Sequence, residues 1–290
     1  MAATVAGAML DHVALAVERW SDAWPRYAVE LGGLWTSGGF NVGFGPAQLQ
    51  FANGGRVEIL QPYQPEDNPF LRRFLDRHGP GPHHLTFKVP DLALAIDQAR
   101  HRGFSPVGID LRNEEWKEAF LHPRQATGIV VQLAQAAHAW ESSPPEGFPT
   151  DRRDPPASLL RVTHAVRDLD TGLALFEGLL GGRRVRSGTA PGGAWEFVDL
   201  QWPGPPAFRL IAPGSGTLAR GAGPHSSLGP WLGTLSGRLH HLVFALEGDA
   251  PGAPGRGQES TELPGLLPVD GPARVIEPAD NLGARLVLTP

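Results

Sequence analysis

A pattern of alternating polar and apolar side chains at residues 83–89 recurs along the chain. The alternation has the period of two residues that is typical of a β-strand. It places His84, Thr86 and Lys88 on one face, and His83 with the apolar residues on the other. An amphipathic helix pattern follows at residues 91–102. Similar strands lie near residues 12, 164 and 241, so the sequence predicts a repeated structural unit.

Each unit is predicted to contain a strand, a helix and three further strands. The first has a strand at 10–17, a helix at 19–31 and strands near 34–37, 47–52 and 56–61. A helix at 69–78 leads to the second unit, with strands at 83–89, 105–108, 117–122 and 128–134 around the helix at 91–102. The third has strands near 159–165, 183–187, 194–200 and 206–212 and a helix at 169–180. The fourth has strands near 239–244, 273–277 and 284–288, with Gly- and Pro-rich residues 248–259 where its helix would lie.

This order of elements predicts an α+β fold in two domains. Two units are needed to close one curved sheet around a cavity, so each domain contains a pair. We expect the first domain at residues 1–140 and the second at 158–290. Residues 141–157 are rich in proline and predict an extended, exposed linker.

Composition excludes several classes of function. The chain has 290 residues, 41% of them hydrophobic, which is enough for two cores. Its net charge is −5 and it has no cysteine, so neither a nucleic-acid partner nor a thiolate metal site is expected. Without a long apolar run or a signal-peptide pattern, we expect a cytoplasmic protein with no membrane partner.

Four polar residues on the expected inner faces of the first pair suggest a metal site. His12 and His84 lie on the first strand of each unit, and Glu58 and Gln132 lie on the last. Two imidazoles, a carboxylate and an amide oxygen suit a divalent Zn, Ni, Co, Mn or Fe ion. A lone histidine in such a strand is more commonly a hydrogen-bonded core residue, but four matched positions favour metal binding.

Several sequence runs resemble the glyoxalase, or vicinal-oxygen-chelate (VOC), superfamily. They are VEILQP (57–62), GPHHLTFKVPDL (81–92), FLHP (120–123) and GIVVQL (128–133). Residues 9–135 are most similar to the methylmalonyl-CoA epimerase branch, whereas the second half matches only in outline. The resemblance implies tandem glyoxalase-like domains, each of two βαβββ units forming an open curved sheet around a cavity. It also implies metal ligation by the four residues His12, Glu58, His84 and Gln132.

The sequence departs from the epimerase branch at two of these positions. The family commonly has glutamate at the last position, and the epimerases have glutamine at the second. Here Glu58 and Gln132 are exchanged. The family's two bases fall at Gln132 and near Gln48, and neither amide accepts a proton at neutral pH. We therefore expect an isomerase or lyase that uses a metal-stabilised enediolate, with Glu58 as the single base.

Two other functions remain open at this stage. The fold is also used by proteins that sequester a toxic metabolite or an antibiotic without catalysis, and by extradiol-type dioxygenases. In each case the expected partner is a small molecule, with Gln48, Trp116 and Lys117 as candidate binding residues. The chain would be a monomer with an intrachain pseudo-dimer, or a homodimer.

The second pair of units lacks a matching set of ligands. Its predicted counterparts of the four ligands are His164, Arg209, His241 and Val287. Arginine repels a metal ion and valine offers no ligand atom. The second domain is therefore expected to be degenerate and structural.

Overall fold

The computed structural model describes residues 4–214, 228–247, 258–259, 263–267 and 270–290. It contains two eight-stranded mixed sheets with helices between and around them. The predicted α+β fold of paired units is therefore confirmed. Of the Gly- and Pro-rich stretch in the fourth unit, residues 248–257 lie outside the described residues.

The first sheet is built from the first two units. In chain order its strands are β1 (Met9–Ala16), β2 (Leu34–Gly38), β3 (Gly43–Gln50), β4 (Arg56–Tyr63), β5 (Gly81–Lys88), β6 (Val107–Asp110), β7 (Trp116–Leu121) and β8 (Val130–Ala136). Their order across the sheet is β2-β3-β4-β1-β5-β8-β7-β6. The two units meet at the antiparallel pair β1–β5, and each unit adds its last strand in parallel to its first.

The second sheet repeats this order. Its strands are β9 (Ser158–Val166), β10 (Arg183–Thr189), β11 (Trp195–Gln201), β12 (Ala207–Pro213), β13 (Gly237–Ala245), β14 (Gln258–Glu259), β15 (Arg274–Ile276) and β16 (Leu286–Thr289). Across the sheet they run β10-β11-β12-β9-β13-β16-β15-β14. The four predicted units thus form two sheets of matching topology.

The helices are α1 (Trp20–Ala23), α2 (Phe70–His78), α3 (Leu92–His101), α4 (Leu169–Leu173) and α5 (Leu228–Leu232). Three of them follow the first strand of a unit (α1, α3 and α4), and two precede the first strand of the next unit (α2 and α5). The single helix predicted at 19–31 consists of α1 and a π-helix at Trp24–Glu30. The third unit repeats this feature, because α4 continues as a π-helix at Ala174–Leu179. A Pro90–Asp91 step precedes α3, and the Asp91 carboxylate accepts a hydrogen bond from the Leu94 amide and caps the helix.

Alternation along β1 divides the core into two layers. Val13 and Leu15 belong to the main hydrophobic cluster, which contains the long helices and extends into the second sheet. Ala14 and Ala16 face the other way, into a smaller cluster with α2. The predicted faces of this strand are therefore confirmed. Side chains of α2 cover one end of the concave face of the sheet. The rest of that face carries the polar residues described below.

The two sheets meet across a pseudo-twofold interface. The Phe51 ring packs against Phe244 with centroids 4.9 Å apart, and Phe87 packs against Trp202 at 5.0 Å. The backbones of the two sheets are in close contact at two equivalent points of this interface. One is Gly128 against Gly237, and the other is Gly283 against Pro80. A shared core between the sheets follows from these contacts.

The predicted linker lies against the first sheet. Phe148 packs on Trp24 and Trp35, and the Ser142 amide donates to the Thr36 carbonyl on edge strand β2. Most of its residues are exposed, as expected, but these contacts fix its course. Among the described helices, none is long and apolar enough to span a membrane.

We predict that Gly128→Ala destabilises the protein far more than Gly103→Ala. Both glycines have φ near +84°, so alanine costs each about 1 kcal/mol in backbone strain. A Cβ at residue 128 would also lie 1.8 Å from the Gly237 carbonyl oxygen, whereas nothing lies within 4 Å at residue 103. Thermal unfolding followed by circular dichroism measures the difference. Equal losses in the two variants would contradict the tight interface.

Candidate metal centre

Three buried ligand-type side chains converge on the concave face of the first sheet. Glu58 on β4 and His84 on β5 both pair with Ala14, from opposite sides of β1. His12 lies two residues before Ala14 and so shares its face. Single ligand atoms of His12, Glu58 and His84 lie within 4.8 Å of one another. Within the described ranges, this is the one such group of histidines and carboxylates.

The geometry of this group suits a cation. The Nε2 atoms of His12 and His84 lie 3.5 and 3.6 Å from the same oxygen, Oε2 of Glu58. Both Nε2 atoms are buried and have no hydrogen-bond partner. A buried nitrogen without a partner is costly, and a metal ion between the three groups would satisfy both. The residues therefore fit a divalent metal ion.

Asp11 fixes the orientation of His12. A β-bulge at this point of β1 brings the side chains of both residues to the same side. The Asp11 Oδ2 atom lies 2.7 Å from Nδ1 of His12, so that nitrogen keeps its proton and Nε2 is the nitrogen that a metal ion would bind. The sequence analysis missed Asp11 because simple alternation places it on the opposite face.

Two cations stabilise the Asp11 carboxylate. Arg56 Nη1 and Lys88 Nζ lie 3.0 and 3.1 Å from its Oδ1 atom. Burial opposes ionisation of Asp11, but the hydrogen bond to His12 and the charges of His12, Lys88 and Arg56 outweigh it and hold the pKa well below its usual range. Asp11 is therefore an anion at every physiological pH.

His84 is oriented by its neighbour. The Nδ1 atoms of His83 and His84 lie 2.9 Å apart, and a second bulge turns the His83 ring toward α2. Alternation predicts His83 on the opposite face, and this bulge is why that prediction is wrong. Burial lowers the pKa of His83 to about 4 and that of His84 well below its usual range. Nδ1 of His84 is occupied by this contact, so Nε2 is its remaining nitrogen and faces Glu58.

The two predicted glutamines contact this group in different ways. The Gln48 amide donates to Oε1 of Glu58 at 3.3 Å. Gln132 pairs with Thr86, whose hydroxyl donates to its Oε1 at 2.6 Å. Thr86 pairs in turn with His12. His12, Thr86 and Gln132 therefore form one row of paired residues across three neighbouring strands, on the face that carries the ligands. The Nε2 atom of Gln132 donates to a further carboxylate, Glu118, at 2.8 Å.

Strand β7 brings Glu118 to the site and turns Lys117 away. Trp116 Nε1 donates to Glu118 at 2.9 Å, so Trp116 is linked to Gln132 through this carboxylate. Lys117 alternates with these residues and shares the opposite face with Ala119, so it does not reach the site. Glu118 was not among the predicted site residues. Its position two residues after Trp116 on β7 places it on the same face as Trp116 by simple alternation.

A cavity of about 430 Å³ lies at the edge of the sheet, two strands from Glu58, and none of the three ligand-type residues lines it. It lies between Ser37 and Gly38 on β2 and the chain at residues 138–142. Ser37 pairs with Gln48 and Gln48 pairs with Glu58, so Gln48 lies between the cavity and Glu58 across the sheet. The Trp140 ring lies 6.4 Å from Trp116, on the side where this segment leaves the sheet.

The equivalent position in the second sheet holds ion pairs. Arg209 and His241 both pair with Thr163, so Thr163 corresponds to Ala14 and Arg161, not His164, corresponds to His12. The predicted alignment of His164 with His12 is therefore wrong. Arg209 makes a double hydrogen bond to Asp199, which stands at the position of Gln48.

The remaining counterparts also fail as ligands. His164 lies on the opposite face, where its Nε2 contacts the Thr127 carbonyl of the first domain at 2.9 Å. Arg285 donates to Nε2 of His240, so the Nδ1–H of His240 points at His241 and leaves a proton on the outer nitrogen of His241. Val287, opposite Val243, matches the position of Gln132. The second sheet therefore lacks the donor set of the first.

Part of the chain matches a known family model. Residues 11–141 match the family model described as the glyoxalase/bleomycin resistance protein/dioxygenase superfamily. This match covers 131 of the 290 residues, all in the N-terminal half of the chain. A comparison with curated protein sequences found no match.

Solved structures similar to the chain fall into two groups. A mutant of 4-hydroxymandelate synthase from Streptomyces coelicolor is 18% identical over 83% of this chain and 71% of its own, with a TM-score of 0.59. This likeness shows that the tandem fold is shared. Methylmalonyl-CoA epimerase from Mycobacterium tuberculosis is 26% identical over 48% of this chain and 93% of its own, with a TM-score of 0.41. A hypothetical protein from Bacillus halodurans C-125 is 24% identical over 47% and 99%, also at 0.41.

We predict that Asp11→Asn weakens metal binding by about 10- to 100-fold, because the amide no longer fixes the His12 tautomer. Asp110→Asn is the matched control, since Asp110 is also paired with an arginine but is exposed on β6. Titration of the metal-free protein with Zn²⁺ by calorimetry measures both. Equal affinities in the two variants would show that Asp11 has no orienting role.

Metal affinity is predicted to rise with pH. Burial opposes protonation of His12, but the carboxylates of Glu58 and Asp11 outweigh it and raise the pKa of His12 to about 9. Below that pH the metal must displace a proton, so the apparent affinity rises about tenfold per pH unit between pH 6 and 8. His84 is already neutral and adds nothing. Calorimetry in buffers of different ionisation enthalpy counts the released proton; a pH-independent affinity would refute the assignment.

Proposed function

We propose that the N-terminal domain is a metal-dependent VOC enzyme that moves a proton on a small carbonyl or enolisable substrate, as an isomerase or lyase. The observation that carries this proposal is the pair of unpartnered, buried Nε2 atoms of His12 and His84 facing one oxygen of Glu58. Such an arrangement has little structural use without a cation. The match of residues 11–141 to the superfamily model supports it.

His12, Glu58 and His84 would hold the ion, with Gln132 as a fourth ligand through Oε1. A divalent metal at this position supplies a Lewis acid that polarises a substrate carbonyl. The Thr86 hydroxyl holds the Gln132 amide with Oε1 toward the row of His12. Zn, Ni, Co, Mn and Fe all accept this set of nitrogen and oxygen ligands.

Glu58 is the proposed proton carrier. Its Oε2 atom faces the histidines, while its Oε1 atom faces the Gln48 amide and is directed to the side of the cavity. A proton taken at Oε1 would leave the contacts of Oε2 intact. Gln48 would then orient this oxygen by donating to it, and amide chemistry excludes Gln48 itself as a base.

The substrate would enter through the cavity between β2 and residues 138–142. Its volume of about 430 Å³ suits a small molecule. Trp116 and Trp140 flank that side and would exclude water from one wall. The second domain would serve as a structural partner, since its concave face is filled by the buried Arg209–Asp199 pair. The pseudo-twofold contact makes a monomer the simplest assembly.

A second candidate is an iron-dependent oxygenase. Two histidines and one carboxylate are also the ligand set of non-haem Fe(II) oxygenases, and Glu58 supplies the carboxylate here. Elemental analysis and oxygen uptake with catechols separate the two candidates. Iron with oxygen uptake favours the oxygenase. A different stoichiometric metal with proton exchange favours the isomerase or lyase, and metal-free protein with a bound small molecule favours sequestration.

We predict that His84→Ala abolishes both metal content and proton transfer. His241→Ala, at the equivalent position of the second sheet, retains both, because no ligand set surrounds His241. Metal content is measured by elemental analysis. Proton transfer is measured by NMR as deuterium incorporation at carbons beside the carbonyl in a panel of small oxo acids, ketones and aldehydes in D₂O. Exchange that survives in a metal-free His84→Ala protein would refute the proposal.

A further inference from the structure

Two cationic side chains, Arg56 and Lys88, lie two residues along their strands from the rows that contain the metal ligands. Arg56 precedes Glu58 by two residues on β4, and Lys88 follows Thr86, the partner of His12, by two residues on β5. Residues two apart on a strand face the same side and lie about 7 Å apart. Arg56 and Lys88 therefore border the proposed metal centre on its concave face.

These cations are incompletely neutralised. Both contact one oxygen of one carboxylate, Oδ1 of Asp11. The other oxygen of Asp11 is occupied by His12. Arg56 has one further partner, the neutral amide oxygen of Gln50. Within the described residues, two permanent positive charges thus share a single negative charge.

Glu118, the carboxylate in the same row of paired residues as Lys88, does not neutralise the second positive charge. Glu118 pairs with Ala134, which pairs with Lys88, so two strand spacings of about 4.8 Å each separate Glu118 from Lys88. Its hydrogen bonds come from Trp116 and Gln132. The excess positive charge therefore remains next to the site.

Both side chains are accessible to a ligand yet partly desolvated. The side chain of Arg56 is 29% exposed and that of Lys88 is 24% exposed. An ammonium group has three donors and a guanidinium has five, so each retains unused donors after contacting Asp11. Charge-assisted hydrogen bonds to a carboxylate are strong in such a partly buried setting.

We propose that Arg56 and Lys88 form an anion subsite that binds a carboxylate of the substrate. This inference rests on the proposed function, because it places the substrate carbonyl at Glu58. The substrate class is then an oxo acid in which a short carbon chain separates the carbonyl from the carboxylate, because the two cations lie one row from Glu58. The alternative role of the two cations is only to hold Asp11 in place.

Binding of 4-oxopentanoate and of its methyl ester to the zinc-loaded protein tests the subsite. The two probes share the ketone and differ in the charge. Calorimetry gives each dissociation constant at low and high salt, and no turnover is needed. The variants are Lys88→Gln and Arg56→Gln. Lys117→Gln is the control, because it removes the same charge from the opposite face of the sheet.

The unaltered protein is expected to bind the acid at least about tenfold more tightly than the ester, with a preference that falls as salt rises. Lys88→Gln should remove most of this preference and keep stoichiometric zinc, whereas Lys117→Gln should leave it unchanged. Equal binding of acid and ester, or no binding of the acid, overturns the subsite. A preference that survives in both Lys88→Gln and Arg56→Gln also overturns it.

Two further readouts separate the possible causes of failure. If a variant loses zinc, the salt-dependent preference of the unaltered protein decides the question. Absence of zinc binding or of proton exchange in the unaltered protein refutes the proposed function instead. The acid-to-ester ratio is then measured on the metal-free protein, so the two failures are distinguishable.

Discussion

The pairing of β1 with β4 on one side and β5 on the other determines the site. Ala14 stands at the centre of this three-strand pairing, and its small side chain leaves room for Glu58 and His84 to approach from both sides. The opposite face of β1 is fully buried against the long helices, which fixes the register, since a slip of one residue would expose Val13 and Leu15. Burial of the apolar face of β1 therefore fixes the positions of the ligand residues on its other face.

Two β-bulges then convert this register into a ligand set. One brings Asp11 beside His12, and the other brings His83 beside His84. Each bulge gives a ligand histidine a partner for its Nδ1 atom, so both Nε2 atoms are free to face Glu58. The electrostatic consequence is a chain of alternating charges from Lys88 and Arg56 through Asp11 to His12.

The second sheet shows how the same framework loses this chemistry. It keeps the strand order and a His-His pair, but arginine replaces both His12 and Glu58 by register. Arg285 then fixes the hydrogen bond from His240 to His241, which leaves a proton on the outer nitrogen of His241. The second sheet retains the apolar face of the fold, because this face packs against the first sheet in the pseudo-twofold interface. Stability and the proposed catalysis are thus assigned to opposite faces of one architecture.

The sequence by itself determined the repeated units, their α+β class and the apolar faces of the strands, because side-chain alternation and helix periodicity are local properties. It also pointed to His12, Glu58 and His84, since polar residues in apolar strands are conspicuous. Only the tertiary structure decided which residues support them. Asp11 and His83 reach the site through bulges, and Arg161 replaces His164 through a change of register. Bulges and register depend on how neighbouring strands pair, and no single strand carries that information.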